Sequence, residues 1–275
     1  MMDGLNRFTG ALVGGVNGLL RGAAPTVVLL VHALIIAVLA VAAYALVSNR
    51  QTIKATRNRM IARLLEIRLF GDDPISVLGS FGRVLAAIGF YMGASLKPLL
   101  VLAPIAVLWI GQLAGWFEWR PLSTGESVVV SMKLSEGVSP VAAPASLQVP
   151  VQFVVETPAF RSLDSNEIAW RVKAVQPGRG LMRCTSGGAT VEKEITASDA
   201  MEKVSPKRVG EGFWDRVLWP AEKSLPKNGA ISEVRVDYPR RSLRFFGFEI
   251  NWLVALFVAS IGFALVVKKP FGVEF

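Results

Sequence analysis

Few side chains in this sequence have the types and spacing that chemistry requires. The only histidine is His32 and the only cysteine is Cys184. A thiol nucleophile needs a base beside it, and Cys184 has no second histidine to draw on. The Ser186-Gly187-Gly188 that follows it reads as a hairpin turn. One histidine also excludes a multi-histidine metal centre, and one cysteine excludes an internal disulfide. Asp72 and Asp73 could hold a metal or a phosphate. The run Gly71, Asp72, Asp73, Pro74 also reads as the turn of a helical hairpin, with glycine closing one helix, Asp73 capping the next and Pro74 opening it. That turn accounts for both carboxylates. Arg57, Arg59 and Arg63 form a basic cluster suited to lipid headgroups or a cytosolic partner. His32, Gln112 and Asn251 are polar residues within or beside apolar runs, where hydrogen bonds between helices are their ordinary role. His32 is expected to face Gln112. There is no P-loop, dinucleotide fingerprint, HExxH or nucleophile elbow. The sequence therefore reads as non-enzymatic, with no catalytic, cofactor-binding or metal-binding residue assigned and no cofactor required.

The elements that must position these residues follow from composition. Of the 275 residues, 52% are hydrophobic and 19% charged, and the mean hydropathy is +0.45. This is more apolar and less charged than a soluble domain. With apolar runs near the length of a bilayer crossing, it implies an integral membrane protein. The net charge of +9 is spread along the chain, so the expected partners are the lipid bilayer and other membrane proteins, not nucleic acid. Residues 1–23 read as an interfacial amphipathic segment carrying Leu5, Phe8, Leu12, Val16 and Leu19 at helical spacing. Residues 24–48 read as a first span. Residues 49–97 are expected to form a cytosolic helical hairpin, its second helix bearing a coiled-coil-like seam of Leu78, Phe81, Leu85, Ile88 and Met92. Residues 98–117 read as a second span and 245–267 as a third, followed by a cytosolic tail, 268–275. Arginine-rich 50–68 and Lys268-Lys269 stay cytosolic by the positive-inside rule, which puts the N-terminus and residues 118–244 outside.

Residues 118–244 change period. Val128, Val130, Met132 and Leu134 alternate with polar residues, as do Val149, Val151 and Phe153, then Ile168, Trp170 and Val172, then Val191 and Ile195, then Val234 and Val236. Such strands, broken by turn-rich segments, imply an inserted extracytoplasmic immunoglobulin-like β-sandwich with Trp170 in its core. Glu211–Trp219 reads as a short helix near the membrane. The fold class is thus membrane α-helical, three transmembrane helices plus a cytosolic helical hairpin, with that sandwich inserted between the last two spans.

At LEIRLFGDDP (65–74) and KKPFGVEF (268–275) the chain resembles a family of uncharacterised bacterial membrane proteins. The resemblance implies a bacterial inner membrane location and brings no activity with it. The topology is similar to that of the smaller members of the YidC-type insertase superfamily, in which three spans form a groove open to the cytosol and a hairpin receives substrate helices. The spans lack the groove arginine that members of that superfamily often carry. The expected function is an insertase-like membrane-protein biogenesis factor; the alternative is a scaffold subunit that docks partners through its β-domain.

Overall fold

The computed structural model describes residues 2–47, 55, 57–62, 65, 74–226, 229–245 and 247–271. The apolar stretches become helices: α1 (Met2–Leu19), α2 (Pro25–Val47), α3 (Pro74–Phe117), the short α4 (Phe213–Leu218) and α5 (Trp252–Val267). Pro25 and Pro74 each open a helix, the position where a missing N–H costs nothing. Among the described residues, two segments are long and apolar enough to cross a membrane, Pro25–Leu46 and Leu100–Phe117, while α5 is shorter. The chain divides into two compact units, Met1–Val28 with Val107–Trp252, and Leu29–Ala106 with Leu253–Phe275.

The first unit contains the β-domain. Its strands are β1 (Ser127–Leu134), β2 (Ala145–Gln148), β3 (Phe153–Val155), β4 (Phe160–Ser162), β5 (Glu167–Ala174), β6 (Gly178–Ser186), β7 (Ala189–Ala197), β8 (Lys207–Val209), β9 (Ile231–Val236), β10 (Leu243–Phe245) and β11 (Phe248–Ile250). One sheet runs β3-β5-β1-β9-β8 with β4 also on β5; a second runs β2-β6-β7; β10 and β11 form a separate hairpin. Every pairing between these named strands is antiparallel. The inward residues of both main sheets share one core, including Val130, Met132, Ile168, Trp170, Met182, Cys184, Ile195 and Val234. Gly187 and Gly188, both at positive φ, make the two-residue turn between β6 and β7. The strand expected over Val149–Phe153 is displaced. Pro150 has no N–H to give a ladder, and the chain turns at 151–152 between β2 and β3, leaving Val151 exposed. The third apolar segment also begins later than residue 245. Phe245 and Phe248 pair across the β10–β11 hairpin with Gly247 at φ 88°, and α5 starts only at Trp252.

The second unit is helical. Along α2, Leu29, His32, Ala33, Ala37 and Val41 form a buried stripe, while Leu34, Leu39 and Leu46 are exposed. Apart from Leu29 and Val41, the inward residues are thus small or polar, while Leu34, Leu39 and Leu46 face outward. Residues 57–62 are helical, with Arg57, Arg59 and Ile61 exposed. Residues expected to form separate helices, 74–96 and 98–117, are one continuous helix, α3, with Pro98 and Pro104 inside it. Of the expected seam, the side chains of Leu78 and Phe81 lie outside the described residues, Leu85 and Met92 are exposed and Ile88 is half-buried, while Val84 beside it is buried. Residues 84–93 are apolar on nearly every face, so periodicity alone could not select the buried one.

Candidate functional site

The first unit contains a cleft of about 690 Å³. Helix α1 supplies Asn6, Arg7 and Gly10, α3 supplies Gln112, and α4 supplies Arg216. Lys203 and the segment from Trp219 to Ser224 complete the wall. A chain of hydrogen bonds holds these elements together. The Asn6 side-chain amide donates to the Arg216 carbonyl at 2.9 Å, Gln112 Nε2 donates to the Asn6 carbonyl at 3.1 Å, and Lys203 Nζ donates to Gln112 Oε1 at 2.9 Å. Gly10 lets the Gln112 side chain lie against α1, since a Cβ there would stand 3.2 Å from Gln112 Oε1. The stem of Lys203 crosses Gly115 in the same way. Burial, together with the charge of Arg179, holds the Lys203 ammonium below its ordinary pKa, with Glu194 opposing.

Behind one wall lies a buried ion pair. Lys193 is fully buried, and its Nζ donates to the Glu222 carboxylate, to the Ser205 carbonyl at 2.5 Å and to the Glu194 carbonyl at 3.1 Å. The other Glu222 oxygen accepts the Glu194 N–H at 3.2 Å. Burial lowers the pKa of Lys193, while Glu222 works to raise it. No sequence motif singles out Lys193; its signal is one of phase, since it lies between Val191 and Ile195 on a strand with one buried face.

The end of α3 is fastened to the β-domain through its backbone. A Cβ on Gly111 would lie 2.6 Å from the Val217 carbonyl, and one on Gly115 would lie 3.0 Å from that of Val204. The Val204 N–H donates to the Gly115 carbonyl at 2.9 Å. Arg241 satisfies carbonyls at the helix end, with Nε to Trp116 O at 3.1 Å and its backbone N–H to Glu118 O at 3.0 Å. The Trp252 indole donates to the Glu118 carboxylate and stacks on Phe117 at 6.2 Å. Arg120 forms a two-pronged pair with Glu126 at 2.8 and 2.9 Å.

On the far edge of the larger sheet, β3 and β4 pair in turn along β5. Val154 opposes Lys173 and Phe160 opposes Ala169, so both project from the face away from the core. Val151, Val154, Phe160 and Leu163 are all exposed, Phe160 at 69%.

The residues singled out by sequence fall in different places. Gln112 is buried and held by Asn6 and Lys203, partners that no sequence spacing connects to it. His32 is fully buried in α2. Asn251 precedes the first residue of α5, a position where asparagine favours helix starts; it is not within the helix. Arg57 and Arg59 are exposed. Arg63, Gly71, Asp72 and Asp73 lie outside the described residues, as do Leu64 and the hairpin turn, while Pro74 is the first residue of α3. Cys184 is buried in the core, and burial pushes its thiol up to about 12, the opposite of a nucleophile's tuning. Among the described residues no group of three or more His, Cys, Asp or Glu could hold a metal. The cleft lining combines the cations Arg7, Lys203, Arg216 and Lys223 with the carboxylates Glu211 and Glu222 and the amides of Asn6 and Gln112.

Compared with known proteins, the chain matches no family model, no curated protein and no solved structure.

Proposed function

We propose that this is a multi-pass membrane protein that acts as a non-enzymatic assembly subunit, holding a β-domain at a fixed position on the bilayer for a partner to dock on. The observation that carries the reading is the fastening of α3 to that domain by backbone contacts at Gly111, Gly115, Trp116 and Glu118. A domain meant to search for partners is served by a flexible linker; one meant to position a partner is served by this joint. The outward face of β3 and β4, with Val154 and Phe160, is the docking surface.

The bilayer is supported by an inverted burial pattern. The apolar face of α1 is exposed at Leu5, Phe8 and Leu12, while Thr9 and Asn17 are buried. In α3, Leu100 and Ile105 are exposed and Gln112 is buried. Exposed large apolar residues over buried polar ones suit lipid as the surrounding solvent. In this reading α2, the Leu100–Phe117 part of α3, and α5 cross a bacterial inner membrane. The basic helix at 57–62 and Lys268-Lys269 are cytosolic, and the N-terminus and β-domain are outside. Two antiparallel sheets with Trp170 at the centre support an immunoglobulin-like sandwich.

A second reading, a YidC-like insertase, is favoured by the exposed apolar residues of the helix at 84–93, Leu85, Phe90 and Met92, which could receive an entering hydrophobic segment. Photocrosslinkers at Phe160 and Leu85 separate the two. One fixed stoichiometric adduct from Phe160, weakened about ten-fold or more by Phe160→Glu with unchanged membrane levels, supports the assembly role. Many nascent membrane proteins crosslinked from Leu85, with none from Phe160, would replace it with the insertase.

A further inference from the structure

The cleft between α1, Gln112 and the 203–224 segment has a charge imbalance that the assembly role does not use. Arg7, Lys203 and Lys223 line it, with Arg216 already held on the Glu211 carbonyl, against two carboxylates, Glu211 and Glu222. One of those carboxylates is already committed, because Glu222 is paired with buried Lys193. Arg7 and Lys223 are exposed at the mouth and meet no carboxylate among the described residues. Lys203 gives one hydrogen to Gln112 and keeps two for a ligand. We propose that this cleft binds a phosphate ester, with the phosphate held between Arg7, Lys203 and Lys223.

Three considerations favour this ligand chemistry. A guanidinium fork and two ammonium groups match an oxyanion that carries several acceptors and more than one direction of approach. The volume lies within the range of small-molecule sites, roughly 300–1,000 Å³, and leaves room for a polar headgroup beyond the phosphate. The placement of the cations also needs a cause: in the orientation proposed above they lie on the non-cytosolic side, where the positive-inside rule asks for none. The ester has two possible sources. A lipid headgroup is one; its acyl chains would follow Phe213 and Trp214, which are exposed on α4, the helix that carries Arg216. A soluble phosphate ester would use the same cations without that apolar surface.

The test uses the full chain in a neutral maltoside detergent, with binding followed by calorimetry. The probes are dihexanoyl phosphatidylglycerol, sn-glycerol 3-phosphate and, as a neutral control, dihexanoyl glycerol. Saturable binding of at least one phosphate probe is expected, weakened about ten-fold or more in Arg7→Gln/Lys223→Gln, because that variant removes two charge-assisted contacts. Both positions are exposed, so this variant should fold. Lys203→Gln, which can retain a contact with Gln112, should weaken binding similarly. Phosphatidylglycerol binding at least about ten-fold tighter than glycerol 3-phosphate assigns the site to a lipid headgroup, and equal affinities assign it to a soluble ester. The proposal is overturned if neither phosphate probe saturates, if both variants bind as the parent does, or if the neutral glyceride binds as tightly. None of these outcomes bears on docking at Phe160, so the two readings fail separately.

Discussion

An ammonium buried among Val191, Ile195 and Cys184 would cost several kcal/mol if it stood alone. Lys193 is tolerated because every hydrogen on its Nζ has an acceptor: Glu222, the Ser205 carbonyl and the Glu194 carbonyl. The pair therefore works as a peg. It ties the inward face of β7 to the loop that carries Glu222 into the cleft wall. Glu222→Gln leaves the lysine charge buried without its counter-ion and should destabilise the folded chain by about 3 kcal/mol. Lys193→Met/Glu222→Leu removes both charges and should recover most of that loss, since an apolar pair of similar volume is often neutral. Thermal unfolding of the purified chain, followed by circular dichroism in detergent, reads both. A double variant as unstable as the single one would show that the loss is not electrostatic.

At the scale of elements, the joint between α3 and the β-domain depends on two glycines one helical turn apart. A methyl on Gly111 would stand 2.6 Å from a carbonyl oxygen of α4, a distance side chains do not adopt. Gly111→Ala should therefore push α4 away and cost about 2 kcal/mol, within the range for overpacking. Gly14→Ala in α1, with nothing within 4 Å of the new methyl, should instead stabilise its helix by up to about 1 kcal/mol. Opposite shifts in melting temperature are the expected outcome, and equal shifts would mean that the contact at Gly111 is not load-transmitting. This joint also marks where the sequence stopped being readable. Strands with one buried face, such as β1, β5 and β9, could be seen in alternation, and the β6–β7 turn in its paired glycines. β8, β10 and β11 are three residues each, too short for any period. The continuity of α3 was hidden by Pro98, which reads as a helix start unless its neighbours hold the helix through it. The cleft was hidden for another reason: Asn6, Gln112 and Lys203 come from segments about a hundred residues apart, and only tertiary packing brings them together.

For the whole molecule, the proposed function requires the β-domain and the basic helix to lie on opposite sides of a bilayer. Charge supports that orientation: Arg57 and Arg59 follow α2, Lys268 and Lys269 follow α5, and lysines and arginines near span ends are retained on the cytosolic side. In the proposed topology an odd number of crossings separates Val151 from Arg59. Both sites are open to reagent, Val151 at 86% exposure at the tip of the β2–β3 turn and Arg59 on an exposed helix face. In a Cys184→Ala background, Val151→Cys should react with a membrane-impermeant maleimide added to intact cells whose outer barrier has been opened. Arg59→Cys should react only after the inner membrane is permeabilised. Labelling of Arg59→Cys before permeabilisation, with Val151→Cys protected, would invert the molecule. Equal labelling of both would remove the bilayer from between them. Either result would overturn the proposal that lipid covers the exposed faces of α1, α2 and α5, and with it the reason for holding a rigid domain at a membrane surface.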